Sequence, residues 1–376
     1  MNKACQLATL TLALLLSACA GQTPTSSPAS LNPASAALKP ASGASPAADQ
    51  FVNGNPYVAK PGEVAVNVRA AWCAVSGGFA QLYVARDYGL FAKYGLNVSS
   101  QLISGVQTFT SALQSGDIDF LYCASTGTIP SLASGVDATI VAAPLVGLPY
   151  VMVARKGISS VQDLKGKKLG ISQQGDLDDR LFRAALKREN VPVEAVQLQP
   201  AGSQTDRYKA VLGGLIDAIN VTPPLEIQAQ NDGLNILYRY KDLAIPNFSP
   251  ILVNNKVLKT QPQTVQRFVA TMAESLWYMD GHKQQVEESL SKQLGITDQA
   301  ALESAYQAYA KDYVNRSVEV PVAAVQDGID YARSQGSDIK RSSPSDMLDQ
   351  RFAQDLQTSG FLEKMWGKLI PGSNIR

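Results

Sequence analysis

An α/β protein built from two strand–helix units and a helical tail is predicted. From residue 63 to 144 strand and helix patterns alternate, and each strand runs into a turn rich in Ser, Gly and Thr. The same alternation restarts after Gly147-Leu148-Pro149 and continues to about residue 240. From Lys256 onward the apolar spacing is helical throughout. Alternation of this kind makes a mostly parallel sheet with helices packed on it.

The valine-rich run 63–70 is the first strand, and Phe79, Leu82, Tyr83, Tyr88 and Phe91 recur near helical spacing behind it. Strands follow at 95–103, 119–123 and 138–144, with helices at 106–114 and 125–132. Ser125 and Thr126 open the second of these as N-cap residue types. The second unit offers strands near 150–156, 168–172, 195–199, 218–221 and 235–240, with helices at 177–189, 205–212 and 224–230. A strand at 248–254 then returns to the first unit, so the second is an insertion crossed twice, near 146–152 and 245–252. Helices are expected at 263–279, 284–294, 300–313, 322–334 and 348–360, packed on the first unit and across the back of the crossings.

Composition narrows the function. The 376 residues allow about two domains, and 45% hydrophobic against 17% charged residues is enough for sizeable cores. A formal net charge of +1 offers no electrostatic case for nucleic acid. The single histidine, His282, lies in a polar tail stretch; it weighs against general-base or metal chemistry. Neither a metal nor a cofactor is expected.

Residues 1–19 read as an export signal. Lys3 precedes an apolar run, Leu7 to Leu16, that is too short to span a bilayer, which takes about 20 residues. Leu16-Ser17-Ala18-Cys19 resembles a bacterial lipobox, in which Cys19 would carry the lipid; the plain alternative is an ordinary signal with a chance cysteine. Residues 20–61 are Ala, Ser, Pro, Thr and Gly, with too little apolar surface to offset their ordering entropy, and are expected to form a disordered tether. The folded part divides into a first lobe, 62–146 with 252–376, and a second lobe, 147–251.

The pairing of A-R-D-Y-G-L-F-A-K-Y-G-L-N-V (85–98) with S-G-V-Q-T-F-T-S-A-L-Q-S-G-D-I-D-F (104–120) resembles the periplasmic solute-binding proteins of ABC importers. The nearest branch binds sulfonates, nitrate, taurine and thiamine-precursor pyrimidines. V-Q-D-L-K-G-K-K-L-G-I-S (161–172) and G-G-L-I-D-A-I-N-V-T-P-P (213–224) extend the resemblance through the second unit. It implies a bilobal type II periplasmic-binding-protein fold with an interlobe cleft that closes by hinge motion. The partners it implies are a small-molecule ligand, an ABC permease and its ATPase, and the membrane through a lipid anchor, for a protein that acts as a monomer outside the cytoplasm.

A shared fold does not name a ligand, so the cleft is argued from its loops. These are 72–79, 104–108, 124–127 and 144–149 in the first lobe, and 173–176 and 220–223 in the second. None carries Lys or Arg. An anion could be held by helix N-termini, but Asp176, Asp178 and Asp179 crowd one of them and would repel it. A neutral or amine-bearing heterocycle is therefore expected rather than a sulfonate or nitrate. Asp176 would accept a hydrogen bond; Ser76, Ser104, Gly105, Ser125, Thr126, Gln173 and Thr222 would supply further polar contacts; and Trp72, Cys73, Phe79 and Tyr122 would wall the site. The plainer readings are that Asp176, Ser125 and Thr126 only cap helices and that Trp72 and Tyr122 are core.

Cys73 and Cys123 fall at the ends of strands that neighbour in a 2-1-3 order. Three readings stay open: a disulfide, two buried free thiols, or a reactive or metal-binding pair. The last belongs to a rival function, a Cys73-dependent enzyme of the desulfinase kind on the same fold. It lacks an evident base to activate the thiol. A ligand sensor without a transporter is a further alternative.

Overall fold

The computed structural model describes residues 54–368; the lipobox, Cys5, Cys19 and most of the expected tether lie outside them. In chain order the first lobe opens with β1 (Val66–Trp72), α1 (Ala80–Asp87), α2 (Leu90–Lys93) and β2 (Leu96–Leu102). It continues with α3 (Val106–Ser115), β3 (Phe120–Tyr122), α4 (Ser125–Ala133) and β4 (Ala138–Val146). The second lobe holds β5 (Val151–Ala154), β6 (Lys168–Ile171), α5 (Leu177–Arg188), β7 (Gln197–Pro200) and α6 (Gln204–Leu212). It closes with β8 (Ala218–Val221), α7 (Leu225–Asn231) and β9 (Asn235–Arg239). β10 (Phe248–Asn254) returns to the first sheet, and α8 (Asn255–Thr260), α9 (Pro262–Gly281), α10 (Lys283–Leu294) and α11 (Gln299–Tyr306) follow. A π-helical turn, Gln307–Asp312, then precedes α12 (Val322–Ser334), α13 (Arg351–Thr358) and α14 (Phe361–Trp366).

Two five-stranded sheets result, in the orders β2-β1-β3-β10-β4 and β7-β6-β8-β5-β9. Each is parallel except for one antiparallel strand, β10 in the first and β5 in the second. Side chains of β1 alternate between two cores, as a period of two requires. Val68, Ala70 and Trp72 face α1 and α9, whereas Ala71 faces the layer of α3, α4 and α12. Phe120 of β3 stacks on Phe268 of α9 with centroids 4.0 Å apart, which ties the tail to the sheet.

The crossings pair with each other: Gly147 N–H donates to the Asn247 carbonyl at 2.7 Å, and Asn247 Nδ2 donates to the Gly147 carbonyl at 2.8 Å. Gly147 has φ +103°, and a Cβ there would lie 2.8 Å from the Tyr313 ring, so only glycine suits the position. The second crossing ends at Asn247, since β10 already pairs with β4 from Phe248, earlier than the expected boundary at 252.

Other expectations need correction. Of the two glycines that could end the helical pattern beginning near Phe79, Gly89 and Gly95, it is Gly89, with φ +73°, that separates α1 from α2. Ser125 and Thr126 do not cap α4: the N-cap is Ala124, and Ser125 is already helical. Residues 54–61 are not tether. Tyr57 is buried, donates to the Asp355 carboxylate at 2.7 Å, and meets Phe361 edge to face. One aromatic provides the apolar surface that the surrounding composition lacks. His282 is half-buried, stacked on Tyr278 at 3.9 Å. The tail does more than back the first lobe, because α11, the π-turn and α12 all reach across to the second lobe.

Candidate binding site between the lobes

The carboxyl ends of β1 and β3 face those of β6 and β8, the edge where open α/β sheets take ligands. A cavity of about 240 Å³ lies beyond the ends of β3 and β6. Ser125, Thr126 and Gly127 line it from the start of α4, Gln173, Gly175 and Asp176 from the turn before α5. Its third wall is α12, through Asp327, Tyr331 and Gln335, with Pro246 of the second crossing beside them.

Asp176 is the N-cap of α5, and its Oδ1 accepts the Asp179 N–H at 2.9 Å. Its other oxygen accepts Gln173 N–H at 3.3 Å, while Asp179 accepts Gly175 N–H at 2.7 Å. The Gln173 and Gly175 amides of the turn and the Asp179 amide of the helix are thus satisfied from within the chain. Asp178 and Asp179 also have cationic partners, Arg207 at 2.7 Å and Arg183 at 2.7 Å. Among the described residues Asp176 has no such ion-pair partner. Burial, then the charge of Asp178, pushes its carboxyl up to about 7, against the lowering effect of its backbone hydrogen bonds. Asp178 is raised too, chiefly by burial, with Arg207 opposing. Behind this pair Tyr240 donates to Asn220 Oδ1 at 2.7 Å, and Asn220 Nδ2 reaches the Asp178 carbonyl at 3.3 Å.

The cleft loops hold no Lys or Arg, yet the cavity has a cation. Arg180 stands in the first turn of α5, just beyond the loop, and lines the cavity. Its guanidinium makes a two-pronged pair with Asp327 of α12, at 2.7 and 3.0 Å, and lies 4.5 Å over the Tyr331 ring. Asp327 and Tyr331, four residues apart, share one helix face. That spacing was the available signal, and it lay in the tail rather than in a loop.

Apart from Ser125, Thr126, Gln173 and Asp176, the expected residues do not reach the cavity. Trp72 and Phe79 are core: each is 5% exposed, and they meet Tyr83 and Tyr122 edge to face. Ser104 and Gly105 are exposed, and only the next residue, Val106, touches the cavity. Ser76 caps a short 3-10 turn through Gly78 N–H at 3.1 Å. Thr222 is buried beside Tyr309. Ser125 lines the site but spends its hydroxyl on Asn247 Oδ1 at 3.2 Å, which fixes α4 to the crossing. Cys73 and Cys123 are joined by a disulfide with Cα atoms 5.3 Å apart. Cys73 therefore presents no thiol here, contrary to its role as a site wall or nucleophile. Among the described residues no group of three or more His, Cys, Asp or Glu is positioned to hold a metal.

Two α/β lobes, two crossings and a cavity between strand ends define a bilobal binding protein of the periplasmic type. The model of the NMT1/THI5-like family matches residues 76–286, and the chain belongs to that family. A Brucella abortus (strain 2308) chain named as a binding protein is 28% identical over 243 residues, covering 64% of this chain and 75% of that one. The alkanesulfonate-binding protein SsuA of Xanthomonas axonopodis pv. citri, solved with MOPS, superposes with a TM-score of 0.62 at 17% identity, covering 77% of this chain and 99% of its own. SsuA of Escherichia coli gives 0.60 at 20% identity, covering 76% and 92%. The desulfurization enzyme DszB gives 0.60 at 15% identity, covering 77% and 99%. At these identities the likeness is one of fold.

Proposed function

We propose that the protein is a lipid-anchored, extracytoplasmic solute-binding protein that captures a neutral or amine-bearing heterocycle between its lobes and delivers it to an ABC permease and ATPase. One observation carries the ligand class: the Asp176 and Asp179 carboxylates sit at the turn that opens α5 and already take the Gln173, Gly175 and Asp179 amides, so an anion there would meet negative charge. Asp176 is left as the cavity's acceptor without an ion pair, and the Tyr331 ring gives a flat wall. A ring that bears an amino group satisfies both, whereas a sulfonate meets Asp176 and finds Arg180 engaged by Asp327. Cys19 would hold the protein at the membrane as a monomer. The alternative of a Cys73-dependent enzyme, which the DszB-like fold keeps in view, is disfavoured by the Cys73–Cys123 bond.

Thermal-shift screening tests this, because a ligand that binds only the folded state stabilises it by mass action. Aminopyrimidines and aminopyridines should raise Tm more than taurine, MOPS or nitrate at equal concentration. Stabilisation by sulfonates alone would overturn the ligand class.

A further inference from the structure

The four strand ends at the cleft are not equally open. Those of β3 and β6 run into Ser125 and Gln173–Asp176, which line the cavity. Those of β1 and β8 run into Ser76-Gly77 and Thr222-Pro223, and one side chain from the tail fills the space between them. Tyr309 lies on the π-helical turn Gln307–Asp312 and is 1% exposed. Its hydroxyl donates to the Pro223 carbonyl at 3.1 Å, and the side chains of Thr222 and Ser76 lie beside it. Its ring lies on Gly77 so closely that a Cβ there would meet ring carbons at 2.7 and 2.9 Å. Gln81 Nε2 donates to its carbonyl at 3.5 Å and accepts the Tyr122 hydroxyl at 3.2 Å through Oε1, which holds the turn against the first lobe. Burial raises the phenol, so it stays protonated as a donor.

Tyr309 thus takes up the space against Gly77 and Pro223, at strand ends where a ligand would sit. A π-turn shifts the register of a helix locally and often marks a functional position; here it aims Tyr309 between the lobes. The open half measures about 240 Å³, below the roughly 300–1,000 Å³ of drug-sized sites.

We propose that Tyr309 is a specificity-determining residue: as a built-in occupant of the β1/β8 half of the cleft, it limits the ligand to a single ring. This rests on a ligand occupying the cleft, but not on the ligand's charge. Calorimetric titration with two matched pairs tests it: 4-aminopyrimidine against 4-aminoquinazoline, and benzenesulfonate against naphthalene-2-sulfonate. In the pair that binds, the native protein should prefer the one-ring member. Tyr309→Ala should move the two-ring to one-ring affinity ratio at least tenfold towards two rings, while Tyr309→Phe keeps the native ratio. If the alanine variant fails to fold, Tyr309→Leu should show the same direction of change. An unchanged ratio in a folded Ala or Leu variant overturns the proposal, as does an equal change in Tyr309→Phe. Binding of the sulfonate pair alone would overturn the heterocycle reading and leave the ratio to judge Tyr309. Binding of neither pair to any form counts against both.

Discussion

Arg180 of α5 and Asp327 of α12 meet across the cleft in a two-pronged ion pair of 2.7 and 3.0 Å, 147 residues apart in sequence. One belongs to the second lobe, and the other to a tail helix packed on the first. Opening the lobes must break this pair and lift Arg180 from Tyr331. Both side chains are partly exposed, so the pair contributes about 1 kcal/mol or less, as surface ion pairs do. Asp327→Asn is expected to favour the open form: the unliganded radius of gyration in X-ray scattering should rise and ligand affinity fall a few-fold. A variant with native scattering and affinity would show the pair to be a bystander.

Asp176 makes a specific pH prediction. Its carboxyl is pushed up to about 7 from an ordinary value near 3.8, so the folded state binds a proton that the unfolded state has already released in that window. Its destabilising contribution is absent well below 3.8, grows as pH rises, and is complete above about 7. Asparagine keeps a capping oxygen but cannot ionise. Asp176→Asn should therefore be more stable than the native protein at pH 8, by on the order of 1–3 kcal/mol, and the gain should fade towards pH 4 in denaturant titrations. A gain that is constant with pH would contradict this. For a cationic amine, native affinity should weaken as pH falls through the same window.

The Cys73–Cys123 bond closes a loop with a sequence separation of 50. In the chain-entropy account a loop of this size is worth about 4 kcal/mol. Reductant, or Cys73→Ser with Cys123→Ser, should lower Tm by an amount corresponding to a loss of about 2–4 kcal/mol. Peptide mapping after alkylation without reductant should find the two cysteines linked. Both recovered as alkylated thiols would refute the bond.

Lipidation is tested by fractionation. Cys19→Ala should move the protein from the membrane to the soluble extracytoplasmic fraction, and retention at the membrane would exclude Cys19 as the anchor.

Much of the fold was legible because its signals are local. Alternating valines marked β1, helical spacing marked α9 and α12, and the apolar run 218–221 marked β8 with the bounds shown by the structure. The start of the fold was less legible: Tyr57 alone brings an otherwise tether-like segment into it. Within the site, Ser125, Thr126, Gln173 and Asp176 followed from their positions at strand ends, and the structure brings all four to one cavity. Trp72 and Phe79 did not, because the face of an aromatic at a strand end depends on which helix packs there.

By itself the sequence determined the alternation of strands and helices, the return of the chain at Phe248–Asn254, and the acidic start of α5. Only tertiary structure decided that Arg180 is engaged by Asp327, that Cys73 is bonded to Cys123, and that Tyr309 closes half of the cleft. The division has a physical reason. Backbone periodicity and caps are set by residues within a turn or two of each other. An ion pair, a disulfide or an interlobe plug depends on positions that only the packed sheets and tail bring within a few ångströms.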